Sequence, residues 1–137
     1  MMDVGWKIGT KHASPTTSGA ASTSSSNKKH FLPKRIILIR HGESLGNVDA
    51  NAYRDISDWT IPLTRRGERQ SLRAAHDLAK LVENESLFTY YSPYKRARET
   101  WGIIEEYLSD TASVEILGAR EEPRIAEQQF GNYQVSV

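Results

Sequence analysis

Three short apolar runs alternate with two helical periodicities in this chain, and that alternation constrains its fold more than any other feature. KRIILIR (34–40) is a β-branched run with a basic flank, SLFTYYSP (86–93) is aromatic and stopped by Pro93, and SVEIL (113–117) is a third run of strand length. Each reads as a strand, the first two as buried ones. Between the first and second lies LTRRGERQSLRAAHDLAKLVENE, where Leu72, Ala75, Ala79 and Val82 recur at helical spacing and Thr64 is placed to cap the first turn. YKRARETWGIIEEYLSD (94–110) reads as a second helix, and NVDANAYRDISDW as a loop with a helical turn. Strand, helix, strand, helix, strand specifies an α/β fold with a parallel sheet. Ligands of such sheets bind beyond the carboxyl ends of the strands. His41, after the first strand, and Ser92 to Arg96, after the second, are therefore expected at one sheet edge although more than fifty residues separate them.

The first of those strand ends reads RHGES (40–44), a fixed cation and an imidazole where a turn of small polar residues is the usual choice. Guanidinium groups match tetrahedral oxyanions through bidentate, charge-assisted hydrogen bonds. A neutral imidazole nitrogen can attack phosphorus and form a covalent intermediate, while arginines neutralise the charge spreading over the phosphoryl oxygens. Arg40, His41 and Arg96 around one site therefore read as phosphoryl transfer. Taken singly, each has a plainer reading, the arginines as surface charges and the histidine as a helix cap.

The combination says more than its parts. RHGES after a strand, LTRRGERQ opening a helix, SPYKRARET, and then EEPRIAEQQFGNYQ together resemble the histidine phosphatase superfamily, and within it the phosphoglycerate-mutase-like proteins of plants, over roughly residues 34 to 134. The resemblance implies a phosphoglycerate-mutase-like three-layer α/β fold with a mainly parallel sheet. It implies that His41 is the nucleophile that becomes phosphohistidine, that Arg40, Asn47 and Arg96 bind the phosphate, and that Glu127, shortly before Phe130 and Gly131, is the general acid. Ser92, Ala97 and Thr100 fall on the same motif as Arg96, whereas Arg98 falls on a variable position. The implied activity is hydrolysis of a small phosphomonoester, with no cofactor and no metal.

Two departures modify that expectation. Mutases that use a bisphosphoglycerate cofactor carry an acid where this chain has Gln70 and an arginine where it has Gln128, so the resemblance points from mutase toward phosphatase. The family site also includes a second histidine on a later strand. No histidine follows His76 here, and His76 itself occupies an ordinary helix position in RAAHDLAK. With the chain stopping at Val137 soon after the acid segment, the expectation is a domain incomplete at its C-terminus, lacking the strand beside the first, with impaired turnover. Two alternatives follow: a non-catalytic module that binds phosphate esters, or a relative of the cofactor-dependent mutases.

Composition bounds the rest. The chain has 137 residues, room for one domain, and no cysteine, which removes disulfide and thiolate chemistry. None of His12, His30, His41 and His76 has metal-type partner spacing. Its net charge of +1 is divided: residues 1–42 carry seven Lys or Arg against Asp3, giving +6, and residues 43–137 carry eleven against sixteen acids, giving −5. HASPTTSGAASTSSS has nine Ser or Thr in fifteen residues and little apolar surface to offset ordering. Residues 1–33 are thus expected to be a disordered Ser/Thr-rich basic head, and 34–137 the N-terminal part of a histidine phosphatase domain. No nucleic-acid partner and no membrane span is expected. Cytoplasmic placement is the first expectation, with plastid or mitochondrion the alternative if the head is a transit peptide.

Overall fold

A computed structural model describes residues 32–111 and 114–128. The chain divides into two compact units, Met1–Leu38 and Ile39–Val137. Apart from Leu32 and Pro33, the expected disordered head lies outside the described residues, as do Phe130 and Gly131. In the described part of the first unit, Ile36 and Leu38 are 81% and 84% exposed.

That exposure belongs to a correction. Residues 35–40 form no strand, although KRIILIR is the most strand-like run in the sequence. Side-chain pattern supplies only a preference, and a ladder needs the free edge of another strand. Among the described residues the only ladder joins the other two runs to each other.

The second unit is built on two long helices and that ladder. Helix α3 (Arg65–Val82) starts where expected: the Thr64 hydroxyl accepts from the Gly67 N–H at 3.1 Å, satisfying one of the orphan donors of the first turn. Its buried face is Gly67, Ser71, Ala75, Leu78 and Val82. Ala75 and Val82 agree with the sequence pattern, but Leu72 is 49% exposed and Ser71 takes the inward position. The hydroxyl of Ser71 donates to the Gly67 carbonyl at 2.9 Å, so its polarity is satisfied within the helix. The reason for the rotated face lies at the N-terminus of α3, where only small residues fit.

Strand β1 (Ser86–Tyr91) and strand β2 (Glu115–Glu121) pair in parallel, connected through helix α4 (Lys95–Thr111). The register slips between Leu87 and Phe88, where Gly118 comes opposite the Phe88 ring. β1 is not the buried strand its composition suggested: Phe88 and Tyr90 are half exposed and pack on each other at 5.1 Å. α3 and α4 pack together, and Ile61, Leu78, Val82, Tyr94, Ile104 and Leu108 are buried around them. The polar stretch before α3 contains two four-residue helices, α1 (Leu45–Val48) and α2 (Ala52–Asp55), and a 3-10 turn over Asp58–Thr60. No helix among the described residues is long and apolar enough to cross a membrane.

The contrast between two leucines tests this packing. Leu108 is fully buried and Leu72 is not. Leu108→Ala is expected to cost about 2–5 kcal/mol of unfolding free energy, against less than about 0.5 kcal/mol for Leu72→Ala. Urea denaturation midpoints of the two variants decide it.

Candidate active site

The RHGES loop is fastened to the start of α3 along its length. Ser44 bridges Leu63 in an antiparallel pair, and the Leu45 N–H donates to the Pro62 carbonyl at 2.9 Å. The Glu43 carbonyl accepts from the Thr64 N–H at 2.9 Å, and the Glu43 N–H donates to Gln70 Oε1 at 2.8 Å. The Glu43 carboxylate also accepts from the Thr64 hydroxyl at 2.8 Å and from Arg66 at 3.2 Å. These contacts require the two backbones to touch. A Cβ built on Gly42 would run into the Gly67 backbone, and one on Gly67 into the Glu43 carbonyl. Glycine is used at both places for close approach.

A second fastening reaches α4. The Gly42 N–H donates to Thr100 Oγ1 at 3.1 Å, and the same hydroxyl donates to the Arg96 carbonyl at 2.8 Å. Thr100 is buried, so this one oxygen connects the residue after His41 to the helical turn that carries Arg96.

His41 is half-buried, and its Nδ1 lies 2.6 Å from the Gly42 carbonyl oxygen. A carbonyl can only accept, so Nδ1 carries the proton, and in the neutral ring Nε2 holds a free lone pair. Burial lowers the basicity of this imidazole. The Gly42 bond opposes that effect, Arg96 and Arg40 lower it further, and Glu127 pulls it up; the net shift is downward. Both guanidinium groups and Glu127 therefore lie within electrostatic reach of His41.

Arg96 is only 3% exposed. One terminal nitrogen, Nη1, donates to the main-chain carbonyl and to the carboxylate of Asp58, each at 2.8 Å, and Nη2 donates to Glu127 Oε2 at 2.5 Å. The Tyr94 ring lies 4.5 Å from the guanidinium carbon, and Trp59 packs on Tyr94 at 4.6 Å. Burial works against the charge of Arg96, but the bonds to Glu127 and Asp58 outweigh it and hold its pKa above the ordinary value. Burial and the Asp58 carboxylate push the Tyr53 phenol up, with smaller influences from Arg96 and Glu127, which places Tyr53 at the border of the same site.

Topology explains the meeting of Arg96 and Glu127. Arg96 follows the carboxyl end of β1, and Glu127 follows that of β2 after a 3-10 turn at Pro123–Ile125. The Glu122 N–H continues onto the Tyr91 carbonyl at 2.8 Å, holding the two strand ends side by side. Arg124 grips the Glu122 carboxylate at 2.8 and 2.6 Å, which holds that carboxyl down to about 2 and fixes the turn leading to Glu127.

Of the five residues singled out in the sequence, His41, Arg40, Arg96 and Glu127 share one neighbourhood. Arg40 is exposed and makes no ion pair or hydrogen bond among the described residues. Asn47 is exposed on α1 and uses its carbonyl oxygen locally, accepting from the N–H and hydroxyl of Ser44 at 2.9 and 3.0 Å. Its NH2 takes no partner among the described residues. The sequence reading did not single out Asp58 or Tyr53, nor did it give Thr100 a role. Nothing distinguishes Asp58 from the other acids of the chain until the fold sets it against a buried arginine, although such an arginine requires a carboxylate from somewhere.

The model of the histidine phosphatase superfamily (branch 1) matches residues 36–136. Phosphoglycerate mutase-like protein AT74H of Arabidopsis thaliana is 44% identical over 118 residues, covering 80% of this chain and 41% of the relative. Phosphoglycerate mutase-like protein AT74 of the same plant is 42% identical over 111 residues, covering 77% of this chain and 34% of the relative. The chain thus spans well under half the length of the curated relatives it matches.

Two measurements test the geometry. Thr100→Val keeps the shape but strands the buried Gly42 N–H; a loss of about 1–3 kcal/mol in urea denaturation is expected, with the His41 ring resonances displaced. The folded His41 is expected to titrate below its ordinary 6.5. Stability is then lost as pH falls from 6.5 through the lowered folded value, because protonation costs the folded state more than the unfolded chain. A histidine NMR titration with its midpoint at or above 6.5 would contradict this.

Proposed function

This chain belongs to the histidine phosphatase superfamily, and on that footing we propose that it hydrolyses a small phosphomonoester through a phosphohistidine at His41. The observation that carries the reading is the Gly42 carbonyl on Nδ1, which leaves Nε2 unprotonated in a neutral ring within electrostatic reach of Arg40 and Arg96. Nε2 attacks phosphorus, the bond to the leaving oxygen breaks, and Glu127 in its acid form gives that oxygen a proton, releasing an alcohol. Water then attacks the phosphohistidine, Glu127 takes its proton, and the P–N electron pair returns to Nε2 as inorganic phosphate leaves. Arg40, Arg96 and the NH2 of Asn47 bind the phosphoryl oxygens, with the arginines balancing charge as it builds.

Phosphatase is favoured over mutase. A mutase must hold a second anionic group of its substrate while it exchanges phosphates, and Gln128, one residue from Glu127, offers no charge for that. The names of the plant relatives speak only of likeness to the mutases.

The test uses the whole chain. Orthovanadate, a mimic of the phosphoryl transition state, is expected to raise the melting temperature by mass action, and Arg96→Ala to abolish the rise. Incubation with an aryl phosphate should label His41 with an acid-labile, base-stable phosphate, and His41→Ala should lose both label and turnover. Vanadate stabilisation without any labelling or turnover would favour the non-catalytic phosphate-binding alternative.

A further inference from the structure

Two carboxylates hold Arg96 on unequal terms. Asp58 holds it twice, because the same Nη1 donates to its side chain and to its main-chain oxygen. The Asp58 carboxylate is itself mostly covered, and its turn is backed by Trp59 on Tyr94, a ring that is almost fully buried beneath the guanidinium. Moving Asp58 away would mean breaking two hydrogen bonds and disturbing an aromatic stack. Glu127 holds Arg96 once, through Nη2, and its side chain is 58% exposed. Water screens such a contact and can replace it on the open side.

We propose that Asp58 is a positioning residue that keeps Arg96 in place throughout, whereas Glu127 is an exchangeable occupant of Nη2 that an arriving phosphoryl oxygen displaces. The inference rests on the reading of Arg96 as a phosphate ligand and adds the order in which its partners yield. Both hydrogens of Nη1 are directed to Asp58, so of the two terminal nitrogens Nη2 is the one left to an anion, and Glu127 occupies it in the free protein. When phosphate takes that nitrogen, the carboxylate is released beside the phosphoryl group, and a proton taken up from solvent or from the phosphomonoester monoanion makes it the donor that the proposed chemistry requires. Free anion and Glu127 therefore compete for a single nitrogen.

Competition gives a result that a merely structural role cannot. Inorganic phosphate and orthovanadate are titrated calorimetrically into the full chain and its variants, with ligand-free melts as the folding control. Glu127→Gln removes the charged competitor and is expected to tighten anion binding about threefold to tenfold, while turnover of an aryl phosphate slows, so that KM and kcat fall together. Asp58→Ala, which leaves Nη1 only the main-chain carbonyl and removes the facing charge, is expected to weaken binding about tenfold by loosening the guanidinium, and Asp58→Asn, which restores a side-chain acceptor for Nη1, to recover most of it. Should Asp58→Ala fail to fold, Glu127→Gln and Asp58→Asn carry the test. Unchanged or weaker binding in Glu127→Gln overturns the exchange, and wild-type binding in Asp58→Ala overturns the positioning role. Binding in Glu127→Gln where the wild type shows none supports the inference; absence from both, or its persistence in Arg96→Ala, overturns the phosphate reading itself and the inference with it.

Discussion

The backbone at Gly42 lies against the backbone at Gly67 with no room for a side chain on either, and the site's geometry follows from that approach. It lets Glu43 exchange hydrogen bonds with Thr64 and Gln70, which fixes the histidine loop to the first turns of α3. It also dictates which face of that helix turns inward. A helix whose first inward position must be glycine continues inward through Ser71 and Ala75, and Leu72 is rotated out although it is the larger apolar residue. Backbone proximity, rather than apolar area, decided the rotation of α3.

The second dependence is electrostatic. A guanidinium as buried as that of Arg96 needs carboxylates within hydrogen-bonding distance, because an unpaired buried charge is among the costliest features a fold can carry. Asp58 and Glu127 meet that need from loops far apart in the sequence. The arginine therefore has a structural task as well as a place in the site: it gathers the 3-10 turn before α3 and the segment after β2 around the carboxyl ends of the strands. Thr100, one helical turn further along α4, gathers the histidine loop to the same point.

Much of this was legible in the sequence, and the exceptions have physical causes. Both long helices, the Thr64 cap and the parallel pairing of the second and third runs follow from periodicity and alternation, which are local properties. The rule that parallel sheets present ligand sites at their carboxyl ends placed Arg96 correctly after β1. It brought in His41 through a strand that does not form, and Glu127 entered only through the family resemblance. KRIILIR failed as a strand because strand formation depends on a partner that sequence pattern does not specify. The burial of β1 failed for a related reason: its composition suits two covered faces, and Phe88 and Tyr90 cover only each other. Asp58 was invisible because an acid in a polar loop acquires meaning only from the cation opposite it.

One oxygen atom has a consequence for chemical isomerism. An imidazole offers two nitrogens to any electrophile, and in solution both react. With Nδ1 committed to the Gly42 carbonyl, His41 is in effect singly protected by its own main chain, and bond formation at the ring is regiospecific for Nε2. Whatever electrophile the residue meets, one of the two possible adducts is built and the other is not, a choice made by the peptide group that follows the histidine rather than by any side chain around it.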